Sequence, residues 1–155
     1  MTSIRKFLDG KGREVWNVHK DSPVFDALKM MAEKNCGALI VLDDEDRLAG
    51  VISERDYARK VALQRKTAVD TPVSEIMTSD VVTASESDSL DQCLSLMSKH
   101  NIRHLPVVEN RRIVGVLGIG ELVQHKIRDV QHEIENKEQE VQHLTKYVSG
   151  SLAYR

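Results

Sequence analysis

The amino-acid sequence predicts an α/β (α+β) fold, in which two tandem β-α-β-β-α repeats pack with pseudo-twofold symmetry and a long C-terminal helix follows. Three observations support this: an internal repeat between residues 24–52 and 90–117, short runs of branched apolar residues between polar turns, and a heptad-like apolar spacing after Glu121. With 155 residues, 41% of them hydrophobic, the chain is long enough for one compact folding unit but not for two independent domains of ordinary size.

The first elements of the repeat are two segments of helical apolar spacing, residues 24–35 and 90–101, which align without a gap. The identical residues are Leu28 and Leu94, Met31 and Met97, and Asn35 and Asn101. Ser22 followed by Pro23 is the expected start of the first helix, and Asp88 is the expected cap of the second.

Two short strands follow each helix, at residues 38–42 and 48–52 in the first copy and 104–108 and 113–117 in the second. A single unit of this size could not bury its apolar face alone, so the copies are expected to pack together and leave a groove between them. The predicted boundaries are an N-terminal segment at 1–14, the first repeat at 15–66, a linker at 67–80, the second repeat at 81–123 and a C-terminal coiled-coil-like helix and tail at 124–155.

Charge and composition argue against several partners. The net charge is −2 and aromatic residues make up 4% of the chain, so neither a basic field nor a stacking surface for nucleic acid is expected. No stretch reaches the roughly 20 apolar residues of a membrane span, and no signal peptide is recognisable. Cys36 and Cys93 lie far apart inside apolar stretches, which favours buried thiols in a reducing compartment. We therefore expect a soluble, cytoplasmic protein.

Several motifs resemble those of a known family, the CBS-domain pair or Bateman module, and most closely its stand-alone bacterial type. These motifs are Gly50-Val51-Ile52-Ser53-Glu54-Arg55-Asp56-Tyr57, Ile76-Met77-Thr78 and Leu105-Pro106-Val107-Val108. The resemblance covers residues 15–123 and implies a regulatory module without catalytic activity of its own. It also implies that an adenosine-containing ligand such as AMP, ADP, ATP, NAD(H) or S-adenosylmethionine binds in the cleft between the repeats, usually to sense energy or redox state.

The pair Ser53 and Asp56 lies where a strand ends and a helix begins, so a hydroxyl, a carboxylate and free amides are expected to converge there. A carboxylate can accept hydrogen bonds from both hydroxyls of a ribose. The same spacing is also close to that of a capping box, which only starts a helix. Both interpretations stay open at this point.

The resemblance implies that the second repeat completes this site with Thr83, Arg103 and His104. Arg103 is the expected phosphate ligand because a guanidinium group forks onto phosphate oxygens, whereas His104 could equally bond to backbone. Adenine contacts are expected from Gly37, Ala38 and Ile52, and possible phosphate contacts from Arg55 and Arg59, which could instead form a solvated basic face.

The second copy departs from this pattern, because Gly118 and Glu121 stand where the first has Ser53 and Asp56. The hydroxyl is missing and the carboxylate is one methylene longer. We therefore expect one strong nucleotide site per chain, and a second site at Gly118 and Glu121 that is empty, weak or occupied by the far end of a dinucleotide.

The C-terminal segment has an apolar residue at alternating steps of four and three, interrupted by Lys137. The apolar positions are Val123, Ile127, Val130, Ile134, Val141, Leu144 and Val148. Such a seam is typical of coiled coils and predicts a homodimer, the alternative being a helix that folds back onto its own module.

Other functions find less support. The sequence has no phosphate-binding Walker loop and no cysteine or histidine cluster with metal-ligand spacing, so neither catalysis nor a metal is expected. The alternative to a nucleotide sensor is a structural or protein-binding adaptor with a vestigial cleft. In either case the regulated effector is expected to be a separate, unknown protein.

Overall fold

The computed structural model describes residues 2–153, and the chain divides into two units, Met1–Gly118 and Ile119–Arg155. The elements of the first unit are α1 (Ile4–Lys11), β1 (Asn17–His19), α2 (Val24–Lys34), β2 (Ala38–Leu42), β3 (Leu48–Ser53), α3 (Glu54–Tyr57), a π-helical turn (Ala58–Ala62), α4 (Val73–Ile76), α5 (Leu90–His100), β4 (His104–Glu109) and β5 (Arg112–Gly118). The second unit is one helix, α6 (Ile119–Ala153). This mixed architecture of tandem repeats and a long terminal helix confirms the predicted fold class.

The first repeat builds a three-stranded sheet in the order β1-β2-β3. β1 pairs in parallel with β2, with Val18 opposite Val41, and β2 pairs antiparallel with β3, with Leu39 opposite Ile52. The parallel crossover runs through α2, whose apolar face is buried on the sheet. Branched residues dominate these strands because their side chains pack well on a pleated surface.

The second repeat has a two-stranded sheet, β4-β5, closed by a hairpin turn in which Asn110 and Arg111 both have positive φ. Two such residues in a row form the turn whose twist matches the strands. The counterpart of β1 is reduced to a single parallel bridge between Ala84 and Val107. Pro106 lacks an amide hydrogen, so it accepts from Ala84 but cannot donate to a longer ladder.

Both long helices of the repeats end in the same way, with an asparagine in the left-handed conformation. Asn35 and Asn101 both have φ 52°, and their amides bond back to Met31 and Met97. The starts differ from the sequence-based expectation by one residue. Pro23, not Ser22, is the cap of α2, and the pair Ser89 and Gln92 forms a capping box at α5, where Asp88 had been expected.

A further pair of equivalent segments lies outside the aligned repeats. Residues 71–78, which include α4, run along the first repeat, and residues 2–8, which include the start of α1, run along the second. Three backbone hydrogen bonds of the first repeat have a counterpart in the second, with the amide donor given first. Val24 to Thr71 matches Leu90 to Thr2; Val73 to Ser22 matches Ile4 to Asp88; Ser74 to Lys20 matches Arg5 to Glu86. Each repeat is therefore completed by a segment that precedes the other one, which gives the pair its pseudo-twofold symmetry.

The completing segments contribute to the cores. Val73 and Ile76 of α4 are buried in the core of the first repeat together with Ile52. In the second repeat, Ile4 and Leu8 of α1 are completely buried.

Helix α6 has 35 residues and presents most of its apolar positions to solvent. Within residues 2–153, no helix is long and apolar enough to cross a membrane.

Candidate functional site

A cavity of about 740 Å³ joins the end of β3 to the loop between α5 and β4, so both repeats contribute to its walls. It is lined by Gly37, Ala38, Val51, Ser53, Glu54, Arg55, Asp56, Thr78, Asp80, Val81, Val82, Asn101, Ile102, Arg103 and His104. Its volume lies within the range typical of small-molecule sites, ~300–1,000 Å³.

Ser53 and Asp56 are fixed to each other at one wall of the cavity. Oδ2 of Asp56 accepts hydrogen bonds from the Ser53 amide at 2.9 Å and from its hydroxyl at 3.1 Å, while the Asp56 amide donates to Ser53 Oγ at 3.2 Å. This is a complete capping box, so the structural interpretation of the motif is correct. The capping box also holds the carboxylate rigidly against the cavity.

The second carboxylate oxygen of Asp56 is held by a lysine. Lys60 Nζ lies 3.1 Å from Oδ1 of Asp56 and donates to the carbonyl oxygen of Ile76 at 2.9 Å. Lys60 therefore connects the carboxylate to the end of α4. An ionised carboxylate can accept about four hydrogen bonds, and the protein supplies three. One ribose hydroxyl can bind to Oδ1 without disturbing these contacts. A second ribose hydroxyl can bind only if Lys60 or the Ser53 hydroxyl gives up its hydrogen bond to Asp56.

Two arginines line the cavity, Arg55 and Arg103. They come from different repeats, and both side chains are exposed. His104 also lines the cavity and pairs with Gly118 in the β4-β5 ladder. Arg59, the other possible phosphate contact, is exposed and is not part of the lining.

The apolar part of the lining differs in detail from the sequence-based expectation. Gly37 and Ala38 line the cavity, but the side chain of Ile52 points into the core of the first repeat and is completely buried. Its neighbour Val51 lines the cavity instead, because successive residues of a strand face opposite sides. Thr83 is exposed and lies outside the lining.

Several lining residues were not predicted, and some had a recognisable signal. Thr78 belongs to the quoted motif before the second repeat and bonds to Val51 through both its backbone groups at 2.9 Å. Asn101 is the left-handed helix end, equivalent to Asn35 in the first copy. Asp80 had no signal, since it lies in a segment without regular structure.

The residues proposed for a second site are placed as follows. Gly118 is the last residue of β5 and pairs with His104 of β4. In the same way, Ser53 is the last residue of β3 and pairs with Ala38 of β2. Glu121 lies in the first turn of α6.

One group of possible metal ligands lies outside this cavity in the described residues. His19, Asp21 and Asp44 offer ligand atoms within 4.8 Å of one another, a set that could hold a metal ion. The Nε2 atom of His19 already lies 2.7 Å from Asp44, and its Nδ1 atom accepts from the Asp21 amide, so the ring is occupied by protein contacts.

Both thiols are weakly acidic. Burial raises the pKa of Cys36, which precedes the cavity residue Gly37, and it raises the pKa of the fully buried Cys93 to about 11. Neither cysteine is therefore set up as a nucleophile.

Comparison with known proteins decides the family. The sequence profile of the CBS domain matches residues 12–63 and 73–128. The chain belongs to the CBS domain family. It is 34% identical over 158 residues to the CBS domain-containing protein CBSX3, mitochondrial, of Arabidopsis thaliana, a match that covers 96% of this chain and 73% of that protein. The resemblance inferred from the motifs is thus confirmed.

Solved structures of CBS-domain pairs share this fold. A candidate signal-transduction protein with CBS domains from Burkholderia ambifaria is 44% identical, with a TM-score of 0.77 over 83% of this chain and 96% of that one. The CBS domain pair of protein MJ0100, in complex with 5′-methylthioadenosine and S-adenosyl-L-methionine, is 28% identical, with a TM-score of 0.73 over 83% and 98%. CBS-pair proteins are regulatory modules, and MJ0100 binds adenosine-containing ligands.

Proposed function

We propose that this chain is a regulatory module that binds an adenine nucleotide of the AMP, ATP or NAD(H) class in the cavity between its repeats. It acts as an energy or redox sensor and has no catalytic activity of its own. One observation supports the proposal: Asp56, Arg55 and Arg103 all line a single cavity. The first group suits a ribose and the other two suit phosphate.

Thermal unfolding with and without AMP, ADP, ATP, NAD, NADH and S-adenosylmethionine tests this function. A ligand present at 100 times its dissociation constant adds about 2.7 kcal/mol to the free energy of unfolding. The absence of a shift with every ligand, in protein freed of bound nucleotide, would favour the adaptor with a vestigial cleft.

Two matched arginine variants test the site. Arg55→Gln should weaken binding of a phosphate-bearing ligand, whereas Arg59→Gln, one helical turn later and outside the cavity, should leave it unchanged. Equal effects of the two variants would point to a diffuse basic surface instead of a phosphate contact.

We also propose that the module is a homodimer joined through α6. The apolar stripe on this helix is exposed, from 41% for Val123 to 61% for Leu144, over a helix about 52 Å long. Branched residues at Ile127, Ile134 and Val141 occupy one of the two alternating seam positions, a pattern that favours two-stranded coiled coils.

Sedimentation velocity at micromolar concentration tests the dimer. Ile134→Glu places a charge in the seam and should give monomers. Gln139→Glu places the same charge on the outward face of the helix and should leave the dimer intact. A wild-type chain that sediments as a monomer would refute this interface.

A further inference from the structure

We propose that the cavity recognises a single AMP group, as free AMP or as the AMP half of a dinucleotide, and discriminates against ATP. This inference rests on the proposed nucleotide-binding function and adds the phosphate number of the ligand.

The charges that line the cavity are nearly balanced. The lining includes three acidic residues, Glu54, Asp56 and Asp80, and two arginines, Arg55 and Arg103. A typical polyphosphate site would instead carry an excess of positive charge to match its ligand.

Asp56 is the one carboxylate of the three whose charge is compensated locally, because Lys60 lies 3.1 Å from it. That contact also commits Lys60, whose amine donates to the carbonyl oxygen of Ile76 as well. Because its amine is already engaged by protein groups, Lys60 is not available to bind the phosphates of a ligand.

The two guanidinium groups remain for the ligand. In the part of the chain that the structure describes, neither Arg55 nor Arg103 forms an ion pair. A phosphate monoester carries a charge of about −1.5 to −2 at neutral pH. Two guanidinium groups match one such group in charge and in their forked donor geometry.

A second or third phosphate of the ligand would have no arginine to pair with among the described residues that line this cavity. Glu54 and Asp80 line the same cavity, and within residues 2–153 neither carboxylate is paired with a cation. Like charges brought together in a partly enclosed site repel more strongly than in water. The β- and γ-phosphates of ATP would bring additional negative charge into a cavity that already holds these two carboxylates.

Isothermal titration calorimetry of the full chain with adenosine, AMP, ATP and NAD, in buffer without divalent cations, measures the discrimination. We expect AMP to bind at least tenfold more tightly than ATP and at least tenfold more tightly than adenosine. Arg103→Gln should reduce the advantage of AMP over adenosine severalfold. If NAD binds as tightly as AMP, the result supports recognition of the AMP group. If NAD binds more tightly than AMP, the ligand is a dinucleotide whose AMP half occupies the cavity.

Removal of the repelling charges tests the cause. Asp80→Asn and Glu54→Gln should each raise the affinity for ATP more than that for AMP, so that the ratio between them falls severalfold. Glu33→Gln, an exposed carboxylate on α2 outside the cavity, is the control and should leave the ratio as in the wild type.

The two levels of the proposal fail in different ways. ATP that binds as tightly as AMP, or an AMP-to-ATP ratio that Asp80→Asn and Glu54→Gln do not change, would overturn the charge-based discrimination and leave nucleotide binding intact. No binding of any adenosine compound would overturn the proposed function itself.

Discussion

Alanine substitutions at two equivalent glycines, Gly50 in β3 and Gly115 in β5, test how the completing segments hold the two repeats together. A Cβ atom at Gly50 would lie 2.7 Å from the carbonyl oxygen of Thr78 and 2.8 Å from the sulfur of Met77. At Gly115 it would lie 2.8 Å from Cδ2 and 2.9 Å from Cδ1 of the buried Leu8. The leucine side chain must shift as a whole, but its shift leaves the backbone in place, whereas a backbone carbonyl moves only with its segment. We therefore expect Gly50→Ala to be the more damaging change.

The expected loss for Gly50→Ala is about 2–4 kcal/mol. Overpacking costs about 1–3 kcal/mol. Displacement of Thr78 also strains its two backbone hydrogen bonds to Val51, each 2.9 Å long, and such bonds contribute about 0.5–1.5 kcal/mol each. A smaller gain of about 0.4–1 kcal/mol comes from the lower entropy of the unfolded chain. For Gly115→Ala this gain offsets most of the side-chain rearrangement, so the net loss should stay below about 1.5 kcal/mol.

Urea denaturation followed by the fluorescence of Trp16 measures both values. Trp16 is the only tryptophan of the chain, and it packs against the core of the first repeat. With a urea dependence of about 1–3 kcal/mol/M, a loss of 3 kcal/mol lowers the midpoint by about 1 M or more. A loss for Gly115→Ala equal to or greater than that for Gly50→Ala would refute this account of the packing.

Three further predictions follow from particular contacts. Asn35→Ala should destabilise the protein by about 1 kcal/mol in thermal or urea unfolding, because alanine tolerates the left-handed φ of 52° less well, while Asn35→Gly should be close to neutral. Cys93, with its pKa raised by burial to about 11, should react with a disulfide reagent at pH 8 far more slowly than the half-buried Cys36, and equal rates would show that the second repeat opens locally. The Ser85 hydroxyl donates to Glu109 at 2.7 Å and lowers the pKa of that carboxyl, so the ionised form is favoured in the folded state. The stability that Ser85 contributes is accordingly present at neutral pH and lost as the pH falls through the folded pKa of Glu109, and a stability difference between wild type and Ser85→Ala that does not shrink in acid would contradict this.

The elements of the fold could be predicted because their signals are local. Helical and alternating apolar spacings depend on neighbouring residues, and a repeated pattern in one chain supports each of its copies. The role of residues 2–8 could not be predicted in the same way. The two segments do share a pattern, a threonine followed by apolar residues at the same three positions, TSIRKFL in residues 2–8 and TPVSEIM in residues 71–77. A match of this length is too short to stand out by itself, and the equivalence becomes clear from the backbone hydrogen bonds to the distant residues Asp88 and Glu86.

For the candidate site, the sequence identified residues at the ends of strands and helices better than those in irregular segments. Ser53, Asp56 and Arg103 all line the cavity and were named in advance. Asp80 was missed because its position depends on how the segment after α4 turns toward the second repeat. The contact of Lys60 with Asp56 spans one helical turn and was accessible in principle, but its second partner, the carbonyl oxygen of Ile76, is set by tertiary packing.

The pseudo-symmetry of the chain and the asymmetry of its chemistry have different physical origins. The two completing segments bind their repeats through the same backbone hydrogen bonds and keep apolar residues at the same positions, while their exposed positions differ. A ribose-binding carboxylate is more demanding, because Asp56 is held in place by the hydroxyl and the amide of Ser53. At the equivalent position of the second repeat, Gly118 offers an amide but no side-chain hydroxyl. A change at one side chain can therefore alter the chemistry of one repeat while the backbone hydrogen bonds that relate the two repeats are kept, and one strong nucleotide site per chain stays a prediction.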